Sequence, residues 1–156
     1  FYIESNYTNM KEGVMPHREK IAWLLLVAML VAYIPYFTFV AMSPPAPGVL
    51  PNLPQLGWLG VTATAHAAIQ GLGRLWFRVR SPDDARAPAD ERDRAIERHS
   101  TTIAYYVLIA GFILVGVVMP FTTGGWEVVN AALFMIVLAE TVHCGVAVWD
   151  YRRAWA

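Results

Sequence analysis

Four long apolar runs dominate this chain, at about 21–42, 56–77, 101–119 and 126–149. Each is close to the roughly 20 mostly apolar residues an α-helix needs to cross a hydrocarbon core. They take up most of the 156 residues and leave no room for a separate soluble domain. With 56% hydrophobic and only 15% charged residues, the chain is too apolar for an ordinary soluble domain of this length. The expected fold is all-α, a bundle of four transmembrane helices. A formal net charge of zero argues against nucleic acid as a partner, and the single cysteine, Cys144, excludes an internal disulfide and any multi-cysteine metal site.

The charges set the orientation. Of the twelve basic residues, seven lie between Arg74 and Ser100, and the other five are Lys11, Arg18, Lys20, Arg152 and Arg153. The short connectors SPPAPGVLPNLPQ and TTGGWE carry none. By the positive-inside rule both termini and the 78–100 loop are cytoplasmic, which agrees with an even number of crossings. The expected organisation is a polar cytoplasmic segment 1–19, a membrane domain 20–151 and a cytoplasmic tail 152–156, in a prokaryotic inner membrane.

The amino-terminal segment has no short apolar core followed by a small-residue cleavage site, so it does not read as a signal peptide. The chain starts at Phe1, and Met15 is expected to be nearer the natural start, with residues 1–14 an upstream extension. Pro35 lies inside the first span, where a kink is expected because neighbouring helices re-satisfy the freed carbonyl. Tyr33, Tyr36, Phe37 and Phe39 cluster around it, as packing residues and an aromatic belt or as a quinone pocket. Five prolines between Pro44 and Pro54 make the first connector stiff. In the second span Gly60, Thr64, Ala67 or Ala68 and Gly71 form a small-residue face suited to close helix approach and to a homo-oligomer. Beside it Thr62, His66 and Gln70 follow one another at one-turn spacing.

In the loop, Pro82 and Pro88 bracket a turn, and Asp90 is placed to cap a helix running straight into the third span. Asp90 with Arg94, and Arg94 with Glu97, are spaced for ion pairs, and Arg92, Ile96, His99 and Ile103 share one face. The string Ala89 to Ser100, ADERDRAIERHS, followed by Ala104-Tyr105-Tyr106 and a span, resembles the Asp-Glu-Arg signature of domain of unknown function 2178, a family of small prokaryotic membrane proteins. The resemblance covers about thirty residues, matches Asp90, Glu91, Arg92 and Ile96 to the signature, and implies architecture only. The histidines and Glu140 have no counterpart in it.

The fourth span sets Glu140 and His143 in an apolar run, where they are expected to be buried. Ionisable groups in hydrocarbon are expensive and mark function by default. From the spacing, Gln70 and Glu140 fall at similar depth, with His66 about 6 Å nearer the outside and His143 about 5 Å nearer the inside, so the four are candidates for one polar seam. Several chemistries fit such a seam. Glu140-x-x-His143 is half of a di-iron repeat, but the further carboxylates are missing and no metal is expected. Haem held by His66 and His143 is a second possibility, made awkward by their difference in depth. A proton or cation relay is a third, with Glu140 titrating, His143 shuttling, and Gln70 and His66 orienting. The fourth is structural pairing alone. No phosphate loop, nucleophile elbow or catalytic triad is visible, so no catalytic residue is assigned. The sequence is read as a non-enzymatic accessory or regulatory membrane protein. Its cytoplasmic loop, through Asp90, Glu91, Arg92 and Arg94, contacts lipid or a protein partner. A small proton- or cation-coupled transporter is the alternative, and a haem- or quinone-binding protein the second. Cys144 is expected to be a packing residue, and Ser43 and Ser100 to cap helix ends.

Overall fold

A computed structural model of the protein describes residues 17–44, 51–82 and 88–153. The polar amino-terminal segment, much of the proline connector, the stretch 83–87 where a turn is expected, and residues 154–156 lie outside the described residues. The described chain is all-α, with four helices and no strand: α1 (His17–Met42), α2 (Leu53–Arg80), α3 (Glu91–Ile113) and α4 (Trp126–Arg153).

Local chemistry explains where these helices begin and end. Asn52 caps α2, its side chain accepting from the Gln55 N–H at 3.2 Å, and Pro54 occupies the first turn, where a missing donor costs nothing. At α3 the Asp90 carboxylate accepts from the Glu91 N–H at 2.6 Å, and Asp93 reaches back to accept from the Asp90 N–H at 3.2 Å. This capping box confirms the cap at Asp90. The ion pairs expected of Arg94 with Asp90 and Glu97 do not form. Asp90 is committed to the helix start, Glu97 turns to α4, and Arg94 is exposed.

Beyond Ile113, α3 widens into a π-helical turn, Leu114–Val118, and then tightens over Met119–Phe121. Pro120 has no N–H to continue the ladder. The chain stops there, with the backbone N–H groups of Thr122 and Thr123 both donating to the Met119 carbonyl at 2.9 and 2.8 Å. Gly125, at φ 64°, takes the left-handed conformation that starts the return into α4. Ser100 corrects an expectation: it lies inside α3, fully buried, and donates to the Ile96 and Glu97 carbonyls instead of capping an end.

The four helices pack in the order α2, α1, α4, α3, so α1 and α4 each have a neighbour on both sides. Close approach of α3 to α4 depends on Gly111, because a Cβ there would meet the Met135 side chain at 2.5 to 2.9 Å. One apolar cluster, Ala22, Ile96, Ala147, Val148 and Tyr151 with Trp23 and Leu26 against it, holds α1, α3 and α4 together at the end of the bundle that carries both termini.

Most other large apolar side chains point outward, among them Val31, Ile34, Phe112, Val117 and Ile136. Outward apolar surface on this scale suits a bilayer as solvent. Three helices, α1, α3 with its continuation to Phe121, and α4, are long and apolar enough to cross a membrane. The chain is a helical membrane protein. The fourth helix, α2, forms over the expected span and is long enough, but Thr62, His66, Gln70 and its glycines leave it less apolar than the other three.

Candidate functional site

At the terminal end, polar residues from three helices converge on Asp93. The Arg18 Nε meets one of its carboxylate oxygens at 3.0 Å, and the Tyr151 hydroxyl donates to the other at 3.0 Å. Arg92 donates to the Tyr151 carbonyl at 3.4 Å. The same end carries His99 with Asp150 at 2.6 Å and Arg152 with the buried Glu19 at 3.9 Å. The Arg152 guanidinium also lies 5.1 Å over the Trp23 ring. These contacts form a collar joining α1, α3 and α4.

Just inside the collar is a cavity of about 290 Å³ between α1, α3 and α4. Its polar wall is His17, Arg18, Glu97, His143 and Tyr151, with Cys144 beside them, and its apolar wall is Ile21, Ala22, Leu25 and Ala147. His143 Nε2 faces a Glu97 oxygen at 3.6 Å, longer than a charge-assisted hydrogen bond. The ring of His17 packs edge-on against Phe77 of α2, and its Nδ1 is buried without a hydrogen-bond partner. Arg74 of α2, Glu97 and Glu140 lie within electrostatic reach of the Cys144 thiol, which is buried.

The seam expected from His66, Gln70, Glu140 and His143 separates into three places. His66 and Gln70 do meet, at 2.7 Å, but on the side of α2 that faces α1, where His66 stacks edge-on against Tyr33. His143 is half-buried and turned to Glu97 of α3, away from them. Glu140 is exposed, a correction to its expected burial, although it lies one turn from the buried Cys144 on the same side of α4. Similar depth put Gln70 level with Glu140, but depth says nothing of which way each helix faces. The two histidines offered as haem ligands accordingly face different helices. Among the described residues, no group of three or more His, Cys, Asp or Glu is placed to hold a metal ion.

Of the loop residues singled out, Asp90 caps α3 and Arg92 reaches α4, while Glu91 and Arg94 are exposed. The aromatic set of α1 partly lines an apolar groove of about 530 Å³ against α4, where Tyr33 stacks on Phe37 and Phe37 meets Phe134 edge-on.

Sequence reasoning missed a second polar cluster at the opposite end. The buried Tyr36 hydroxyl donates to Asn130 Oδ1 at 2.9 Å, Asn130 Nδ2 donates to Gln55 Oε1 at 2.8 Å, and Gln55 Nε2 donates to the Ser43 carbonyl at 2.7 Å. This chain ties α1, α2 and α4 together in apolar surroundings, where each donor needs its partner. The available signal was compositional: lone Gln and Asn residues near the outer ends of apolar runs.

No family model matches this chain. No curated protein and no solved structure is detectably similar to it either. The functional reading therefore rests on the geometry.

Proposed function

We propose that this is a non-enzymatic accessory protein of a prokaryotic inner membrane. Its terminal end is cytoplasmic, a reading supported by the distribution of basic residues, and it works there by contacting anionic lipid. The observation that carries this is the last turn of α2. Arg78 and Arg80 are exposed beside exposed Trp76, with the Arg80 guanidinium 5.6 Å over the Trp76 ring. An aromatic ring at head-group depth with arginines just beyond it is how a helix end engages an anionic leaflet.

The collar adds to this, because four acidic groups of this end face basic partners within the bundle, while Asp90 and Glu91 stay exposed. Asp93 holds Arg18, Glu19 faces Arg152, Asp150 holds His99, and Glu97 faces His143. Arg74, Arg78, Arg80, Arg94 and Arg98 remain outward and solvent-exposed. Juxtamembrane basic side chains gain about 1 kcal/mol each near an anionic surface. The Asp90-Glu91-Arg92 string that resembles domain of unknown function 2178 belongs to the same picture as architecture, a capped helix leading from the loop into a span.

The relay alternative gains less from the geometry, since His66 and Gln70 are bonded to each other and not to Glu140 or His143. The test is lipid enrichment. The full chain is extracted with its surrounding lipid in polymer nanodiscs, and the anionic fraction is compared with that of the bulk membrane. Enrichment that falls in an Arg78→Gln/Arg80→Gln variant supports the proposal. A lipid composition equal to bulk in both proteins overturns it.

A further inference from the structure

α2 lies alongside α1 over its whole length, from Phe77 edge-on against His17 at the terminal end to Gln55, which donates to the Ser43 carbonyl, at the other. α1 is long and apolar enough to cross a membrane, so α2 shares its depth. His66 is 13 residues from Leu53 and 14 from Arg80, about 20 Å from either end of α2 and close to the middle of a hydrocarbon core roughly 30 Å thick.

At that depth the protein sets four polar side chains with almost no bonding among them. Thr62, His66 and Gln70 follow at one-turn spacing on the α1 side of α2, and Tyr33 of α1 meets the His66 ring edge-on at 5.3 Å. The 2.7 Å contact of His66 Nε2 with the Gln70 amide is the single hydrogen bond they make. His66 Nδ1, the other half of the Gln70 amide and the hydroxyls of Tyr33 and Thr62 have no partner in the described protein. Elsewhere in the spans Thr38, Thr64 and Thr141 each donate to the carbonyl one turn earlier, at 2.7 to 2.8 Å. Thr62 does not, although it is only 8% exposed. Hydroxyl and imidazole groups left unbonded in apolar surroundings are costly, and in lipid there is no bulk water to relieve them.

We propose that Thr62, His66, Gln70 and Tyr33 hold water between α1 and α2 near the middle of the membrane. A buried water takes two to four polar partners, and these residues offer both donors and acceptors. Their free atoms are also within reach. The fully enclosed unpartnered side-chain atoms among the described residues are His17 Nδ1, Trp23 Nε1 and Trp126 Nε1, none of them in this set. A second copy of the chain does not fit, because the stripe faces α1 and another helix would have to displace it. A cation lacks a counter-charge here. α2 has no acidic residue, α1 has none beyond Glu19, and the nearest ionised group is Arg74, one turn past Gln70. Water needs no charge, and bridging it adds polar ties between α2 and α1 to the one that Gln55 makes.

The experiment is magic-angle-spinning NMR of the full chain in lipid bilayers with nitrogen-15 in the histidine side chains, reading magnetisation passed from water protons. The His66 signals are those missing from a His66→Gln sample. His66 is expected to gain magnetisation from water in the unmodified chain. Thr62→Val and Gln70→Leu are each expected to lower that gain several-fold without changing it at the exposed His99. Arg78→Gln/Arg80→Gln leaves His66 hydrated, so the internal water and the surface contact with lipid stand or fall separately. Should the Thr62 and Gln70 variants fail to fold, the unmodified chain decides alone. Transfer to His66 from acyl-chain protons, with none from water while His99 shows it, overturns the proposal. A gain at His66 that neither variant alters also overturns it, because these side chains then do not hold the water. Transfer to His66 from a differently labelled second copy shows a protein contact instead and overturns water as the occupant.

Discussion

Tyr151 and Asp93, 58 residues apart in sequence, are joined at 3.0 Å by the phenol hydroxyl donating to the carboxylate. The same carboxylate takes Arg18 on its other oxygen and closes the capping box of α3. Removing the hydroxyl with Tyr151→Phe deletes one hydrogen bond, worth about 1 kcal/mol. Asp93→Ala removes that bond and the reciprocal cap together, for about 2 kcal/mol in all. Thermal unfolding of the detergent-solubilised chain should rank Asp93→Ala below Tyr151→Phe and both below the unmodified protein. Equal midpoints for all three would show that the collar carries no stability.

At the other end, Asn130→Leu strands the Tyr36 hydroxyl and the Gln55 amide oxygen, so a loss of roughly 1–3 kcal/mol is expected. Tyr36→Phe removes only one partner and should cost less. Because the two side chains share a bond, the double variant should deviate from additivity by about 0.5 kcal/mol or more. Strict additivity would mean that the bond does not form in the folded protein.

Gly111 permits the contact of α3 with Met135. Gly111→Val drives a branched side chain into Met135, whose Cβ as well as its flexible end lies in the way, and is expected to cost about 1–3 kcal/mol. Unchanged stability would place α3 farther from α4 than it is here.

Glu140 is exposed on α4 and makes no hydrogen bond or ion pair with another described residue. Glu140→Gln is therefore expected to shift stability by less than about 0.5 kcal/mol. A proton-coupled transporter would also lose its pH-driven flux in this variant, and an accessory protein has none to lose. A liposome proton-flux assay separates the two, and flux that disappears with Glu140→Gln would restore the relay.

The start of α3 was legible because Asp90 carries a local chemical signature, and the alignment of Arg92, Ile96 and His99 followed from helical spacing alone. All three reach α4 or the core. The exposure of Glu140 was not legible, since α4 is apolar on nearly every side and gives no pattern to say which face turns inward. Nor was the Tyr36, Asn130 and Gln55 chain, because its members lie on three helices and no spacing links them. The extra polarity of α2 was visible residue by residue in Thr62, His66 and Gln70. Where that stripe faces required knowing that α2 packs on α1.

The central claim, that the cytoplasmic end engages anionic lipid, is tested most directly by the melting temperature of the purified full chain as phosphatidylglycerol is titrated in place of phosphatidylcholine at low salt. The account predicts a rise with phosphatidylglycerol that shrinks in Arg78→Gln/Arg80→Gln and at high ionic strength, where exposed charges are screened. An identical melting temperature in the two lipids across the titration would contradict it.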